Sequence, residues 1–188
     1  MLDSPAQESD IAAVMRRLML LRHAKTERAQ PGEPDRGRVL TTRGRADAPI
    51  IGAYMARHGL VPDFALVSPA ARTQETWKLM LPCFGKTPKS ASEERIYNAT
   101  AEQLMALIAE TDAAHALLVV GHNPGMHDLA VRLIASGDVE ARERVSEKLP
   151  TSGLIVIDLA FDDWALLHPH AGRLERFVSP RLIEAATE

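Results

Sequence analysis

With 188 residues, 46% of them apolar and 25% charged, the chain has material for one sizeable core and the ordinary length of a single domain. A formal net charge of −3 excludes a general field that would attract nucleic acid or an anionic membrane, so neither is expected as a partner and any anion site must be local. The sole cysteine, Cys83, excludes an intrachain disulfide and fits a reducing compartment, with the cytoplasm as the expected location.

Met1 to Asp10 is polar and acidic, and Leu18–Leu21 is too short for a signal segment or a membrane span. Residues 1–17 are therefore expected to form a flexible leader, and residues 18–188 a single domain. The apolar run Leu18–Leu21 stops abruptly at Arg22-His23-Ala24, the pattern of a buried strand that ends in polar side chains. Lys25 to Arg38, with Pro31, Gly32, Pro34 and Gly37, has loop composition and is long enough to fold over a site. Within it Thr26 is a candidate phosphate contact, and Asp35 and Arg38 can contact either a substrate or each other.

A helix is predicted from Thr41 or Thr42 to about His58, with Ile50, Ile51, Tyr54 and Met55 on one face and Gly59 just past its end. A strand at Ala65–Val67 follows, then Ser68-Pro69, then a helix over Arg72–Met80 with Trp77 and Met80 inward. Thr100 to Gln103 reads as a capping box that opens a helix to about Thr111. Ala116–Val120 is the next strand, and Gly121-His122-Asn123-Pro124 leads into a helix with Asn123 as cap, Leu129, Leu133 and Ile134 inward, and Gly137 as its stop. Val139–Lys148 is a charged, exposed helix or loop, and further strands are expected at Leu154–Leu159, Trp164–Leu167 and Leu174–Val178. Alternating strands and helices predict an α/β fold, a three-layer α/β/α sandwich around a mostly parallel sheet.

In such sheets ligands bind beyond the carboxyl ends of the strands, where Arg22-His23, Arg72 and His122 are all delivered. Two arginines offer planar forks of donors that match phosphate oxygens, and helix N-termini add backbone N–H groups. Glu75 and Thr76, one turn after Arg72, are expected to support it or its helix. Cys83 lacks the arginine six residues later that a tyrosine-phosphatase cysteine needs, since Lys89 stands there. The pair His168 and His170 has no third ligand at suitable spacing, and His122 and His127 are not four apart, so no metal and no other cofactor is expected.

Four segments in order, Arg22-His23-Ala24, Leu40-Thr41-Thr42-Arg43-Gly44-Arg45, Ser68-Pro69-Ala70-Ala71-Arg72-Thr73-Gln74-Glu75-Thr76 and Gly121-His122-Asn123-Pro124-Gly125, resemble the phosphoglycerate mutase-like histidine phosphatase superfamily. Ala24, where the mutases usually have glycine, and the short chain are most similar to the SixA-type phosphohistidine phosphatases. The resemblance implies a nucleophilic His23 that takes the phosphoryl group, held by Arg22, Arg72 and His122 without a metal. Neutral His23 must attack while His122 acts best protonated, so their pKa values are expected to be pushed apart. Glu94, in Glu94-Arg95-Ile96-Tyr97, resembles the acid-bearing segment of the mutase branch and is the candidate general acid, with Glu93 as its rival. Thr26 and Arg38 join the candidate substrate contacts. The substrate implied is a protein carrying phosphohistidine; a small phosphorylated metabolite such as a sugar phosphate is the near alternative, and a phospho-ligand binding module without turnover is the reading from another class.

Overall fold

The computed structural model describes residues 15–111 and 114–186. The predicted leader falls mostly outside these residues. Its last three positions do not: Met15 is exposed, and Arg16 and Arg17 already belong to the first strand.

One seven-stranded sheet runs β3-β2-β4-β1-β6-β7-β5, built from β1 (Arg16–Arg22), β2 (Phe64–Val67), β3 (Lys89–Ser92), β4 (Ala116–Gly121), β5 (Ile134–Gly137), β6 (Leu154–Leu159) and β7 (Gly172–Val178). It is mostly parallel: β1–β4, β2–β4, β2–β3 and β5–β7 pair in parallel, while β6 runs antiparallel to both β1 and β7. Period-two side-chain alternation divides the core between the two faces. Leu18 and Leu20 of β1, Leu117 and Val119 of β4, and Ile155 and Ile157 of β6 enter one cluster; Met19, Leu21, Leu118, Val120, Leu154 and Val156 enter the other. The second face is covered by α1 (Thr42–Arg57) and α2 (Ala71–Met80), the first by α3 (Ala101–Ala109), α4 (Gly125–Leu133) and α5 (Val139–Glu147), and α6 (Pro180–Ala185) closes the described chain. A sheet buried on both faces needs continuous apolar runs, which is why the three central strands are legible as such.

Local chemistry sets most boundaries as predicted. The Thr41 side chain accepts from Gly44 N (3.0 Å) to start α1, and Gly59, at φ +67°, follows its end. The buried stripe of α1 is centred on Ala48, Ile51 and Met55, with Ile50 and Tyr54 on its flanks. Thr100 and Gln103 form the reciprocal capping box of α3. Arg17 and Asp158, directly opposite across β1 and β6, form a bidentate ion pair at 2.7 and 2.8 Å.

Three expectations are corrected, and one strand was not expected. Trp164–Leu167 is not a strand: Trp164–Leu166 is a 3₁₀ turn started by the Asp163 carboxylate on Ala165 N (2.9 Å), and it inserts only Trp164, whose indole donates to Ala114 O (2.8 Å). The helix after His122 ends at Leu133, and Ile134–Gly137 pairs with β7 as a short strand. That helix starts at Gly125, and Asn123 does not cap it, because the Asn123 amide donates to Leu149 O (2.9 Å) instead. The edge strand β3, Lys-Ser-Ala-Ser and wholly exposed, has no apolar alternation from which to be read.

Candidate active site

The register of the central strands brings three chain segments to one level. Arg22 lies opposite Gly121 and Val67 opposite Val120, so the ladders end together. Each continues by one bond past its last pair: His23 N donates to Gly121 O (3.1 Å) and Ser68 N to Val120 O (3.0 Å). His23 and Ser68 are thereby fixed by strand backbone, His122 directly follows Gly121 at the end of β4, and all three are buried. Two glycines permit the close packing behind them. A Cβ on Gly44 would lie 2.1 Å from Lys25 O, and one on Gly125 would lie 2.0 Å from Ala99 O.

Arg22, His23, Arg72 and His122 line one cleft of about 580 Å³ together with Lys25, Thr26, Asp35, Arg38, Tyr97, Asn98, Asn123 and Thr151. The two imidazole rings stand 5.4 Å apart, tilted by 52°. A carbonyl can only accept, so His23 Nδ1 carries the proton it donates to Ala24 O (2.8 Å), leaving the Nε2 lone pair free. A guanidinium can only donate, so His122 Nδ1 accepts from Arg72 Nε (3.3 Å), and its Nε2–H donates to Ser68 Oγ (2.6 Å). The Thr76 hydroxyl joins two segments of the site: it accepts from Ala24 N (3.0 Å) and donates to Arg72 O (2.6 Å). Glu75 holds the loop beyond, accepting from Leu40 N (3.1 Å) and Arg45 Nε (2.6 Å). Arg22 donates to Leu149 O (2.9 Å), the carbonyl that also receives the Asn123 amide.

The pKa values of the two histidines move in the same direction, not apart. Burial lowers His23 to about 4, against the opposing bond to Ala24 O, and the cations of Arg22, Arg72 and Arg38 lower it further. Burial and then the Arg72 cation lower His122 to about 3. Each ring is neutral at pH 7, and the influences are shared: both rings are buried, which dominates, and both face the Arg22 and Arg72 guanidiniums, which add to it.

Of the predicted residues, Arg22, His23, Arg72, His122, Thr26 and Arg38 meet in the cleft. Thr26 Oγ1 accepts from Arg38 (2.8 Å), and Arg38 also donates to Asp35 (3.1 Å), so these side chains contact each other. Glu94 is not among the lining residues: its exposed carboxylate pairs with Arg36. Glu93 is drawn to Arg95, whose backbone and side chain both donate to it. The carboxylate within the cleft is Asp35. It accepts from Arg72 (2.9 Å) and from the Tyr97 hydroxyl (2.8 Å). Tyr97, with Arg38 and Arg72, holds the Asp35 carboxyl down at about 2 despite some burial.

Tyr97 is the aromatic lining residue that sequence reasoning did not single out. Its signal was an aromatic residue in a polar segment, and the 3₁₀ turn Glu94–Ile96 swings it inward, edge-on to His122 at 5.5 Å. Lys25, Asn98 and Thr151 carried no signal of their own. Cys83 is half-buried against Pro49 O, outside the cleft, and His168 is exposed with Nδ1 on Pro169 O (2.8 Å). Among the described residues no three His, Cys, Asp or Glu side chains are grouped as metal ligands, and no helix is long and apolar enough to cross a membrane.

A mostly parallel sheet that presents arginines and histidines at its carboxyl edge defines a recognisable class of protein. A structure from Agrobacterium tumefaciens assigned as the phosphohistidine phosphatase SixA is 33% identical, with a TM-score of 0.75 over 88% of this chain and 98% of that one. A second SixA-assigned structure, from Nakamurella, superposes with a TM-score of 0.76 over 88% and 96% of the two chains at 24% identity, a likeness of fold. An uncharacterized protein of Mycobacterium tuberculosis is 35% identical over 165 residues, 86% of this chain and the whole of that one. No protein-family model matches the chain. The chain belongs to the histidine phosphatase superfamily, among its SixA-type members, and is a phosphatase.

Proposed function

We propose that the protein is a metal-independent phosphohistidine phosphatase that works through a covalent phosphoryl group on His23 Nε2. The observation that carries this reading is the tautomer of His23: with Nδ1–H committed to Ala24 O, the free lone pair sits on Nε2 in a cleft shared with Arg22, Arg72 and His122. A pKa of about 4 keeps that lone pair available at neutral pH.

In the first step Nε2 attacks phosphorus in line, and the bond from phosphorus to the leaving atom breaks with its electron pair passing to that atom. For phosphohistidine the leaving atom is an imidazole nitrogen. When the other ring nitrogen is protonated, the departing imidazole is neutral and needs no strong acid. This suits a cleft whose rim directs Glu94 to Arg36 and whose carboxylate, Asp35, is held ionised by its donors. The Arg22 and Arg72 guanidiniums neutralise the equatorial oxygens. The added negative charge opposes the effects that depress His122, so as phosphoryl binds His122 Nδ1 exchanges its long bond from Arg72 Nε for a proton and becomes a second donor. Water then attacks phosphorus, the N–P bond breaks with its pair returning to Nε2, and the proton of the water leaves on the phosphate product.

The test is hydrolysis of a phosphohistidine peptide and a generic aryl phosphate in EDTA, by wild type and by His23→Ala at matched folded concentration. Loss of roughly 10³-fold or more in His23→Ala is expected, together with an acid-labile phosphoenzyme in wild type only. Activity that survives His23→Ala would overturn the mechanism. An aryl phosphate favoured over the peptide would replace phosphohistidine by a small phosphorylated metabolite, and a folded wild type that binds phosphate but turns over neither would leave a binding module.

A further inference from the structure

A second groove, of about 490 Å³, opens on the other side of the turn that follows α5. The two cavities share Thr151. The turn is bonded directly to the reaction centre: Ser152 N donates to His23 O (3.1 Å), Arg22 N to Gly153 O (3.1 Å), and the Arg22 guanidinium to Leu149 O (2.9 Å). Whatever lies in the groove is therefore one residue's width from the phosphoryl cleft.

The groove has an apolar base of Pro150, Phe177 and Leu182 and a charged border. Four cations face it, Arg43, Arg144, Lys148 and Arg181, against two carboxylates, Asp47 and Glu147. Two of the cations are already committed, Arg43 to Asp47 and Glu184 and Arg144 to Glu140. Lys148 and Arg181 are exposed and have no ion-pair partner among the described residues. The lining side chains carry two more positive than negative charges on a chain whose net charge is −3, with Glu147 the one lining carboxylate that no ion pair takes up among the described residues. An isolated phosphoryl group would be served by Arg22 and Arg72 alone; a mixed apolar and cationic groove beside them suits extended polypeptide with acidic side chains.

We infer that this groove is a docking subsite for the acidic segment that flanks the phosphohistidine of a protein substrate. The inference rests on the phosphohistidine reading of the cleft and adds a selectivity that the cleft alone does not supply. Lys148 and Arg181 pair with carboxylates of the segment, Phe177 and Leu182 receive an apolar side chain between them, and Thr151 marks where the segment crosses toward His23.

The experiment compares wild type with the double variant Lys148→Glu/Arg181→Glu on phosphoimidazole, an acidic phosphohistidine peptide and a lysine-rich phosphohistidine peptide of the same length. Fluorescence anisotropy of the unphosphorylated acidic peptide is measured alongside. Wild type is expected to favour the acidic over the lysine-rich peptide by about tenfold in kcat/KM, a difference that weakens with salt, and the double variant to lose that preference while phosphoimidazole turnover stays within about twofold. The anisotropy arm is expected to show weaker peptide binding in the variant, and Lys148→Gln/Arg181→Gln to fall between the two. Equal rates on the two peptides in wild type, or a preference that survives charge reversal, would overturn the docking site. Failure of the cleft reading is separate: phosphoimidazole is then not hydrolysed, and anisotropy alone decides whether the groove takes the acidic segment.

Discussion

The floor of the cleft and its rim use similar residue types and hold them in opposite ways. On the floor, His23, Ser68 and His122 continue three adjacent strands, the backbones of His23 and Ser68 extend the sheet's ladders, and Thr76 binds the segment after β1 to the first turn of α2. On the rim, Asp35, Arg36, Arg38 and Tyr97 come from two loops and are held by one another through exposed ion pairs and hydrogen bonds. Exposed pairs contribute little each and exchange readily, whereas buried donors left without partners are costly. The difference teaches a division of labour: rigid strand ends fix the groups that must meet phosphorus in line, and exchangeable loops meet whatever carries it.

The largest effect should come from breaking the floor at its planar donor. Arg72 is buried, with Nε on His122 and its terminal nitrogens on Asp35. Arg72→Lys keeps the charge and removes the fork, so kcat/KM on either test substrate should fall by about 10²-fold to 10³-fold with the fold intact by circular dichroism. A loss below tenfold would mean that charge alone suffices and that the planar geometry is incidental.

A smaller loss should follow Thr76→Val, which touches no substrate. Valine fills the same volume but leaves the buried Ala24 N–H without its acceptor, at a cost of about 1–3 kcal/mol in stability. Because Ala24 follows His23, the rate of phosphoenzyme formation should fall by more than phosphate affinity does, and Thr76→Ser should restore much of it. Equal losses in rate and affinity would assign Thr76 to general stability only.

The same division explains what the sequence disclosed. The floor was legible because its residues directly follow apolar β runs or flank a helix start, and the end of a buried strand is a place in space as well as in sequence. The mostly parallel sheet and the helix starts at Thr41 and Thr100 follow from equally local signals. On the rim Asp35 and Arg38 were legible as partners of a substrate or of each other, whereas the inward Tyr97 and the outward Glu94 were not legible, since the turn that sets them depends on how two loops meet. Nor was the apolar run Trp164–Leu167, where the anchored indole of Trp164 and the side chain of Leu167 satisfied the core and left Leu166 exposed, or β3, a strand held by its neighbour alone. The shared depression of the histidines was missed for a related reason: local roles suggested opposite protonation, while burial and the guanidiniums act on both rings at once.

That shared depression yields a sharper measurement of the floor. With pKa values of about 4 and about 3 against an ordinary 6.5, neither ring is expected to titrate in NMR spectra between pH 5 and 8. The sign for stability follows: below 6.5 the unfolded chain takes up protons on these rings that the folded chain refuses. Their contribution is complete above pH 6.5, declines as pH falls toward the folded values, and is lost below them. Inorganic phosphate should bring His122 into the titrating range and leave the Nδ1 proton of His23 in place. A His122 that titrates near 6.5 without phosphate would contradict the field described here.

The rim should give the smallest change, in the opposite direction. Asp35 offers Arg72 a carboxylate, so a phosphoryl group entering the cleft must replace an anion already bound to the guanidinium it needs. Asp35→Asn keeps the shape and removes the charge, and KM for an aryl phosphate should fall by about twofold to fivefold, the size expected of one half-exposed ion pair, with kcat nearly unchanged. The Tyr97 hydroxyl, raised in pKa chiefly by its hydrogen bond to Asp35, should return toward its ordinary value in the same variant. If KM rises instead, Asp35 is contacting the substrate and not competing with it, and the rim belongs with the floor as a determinant of recognition.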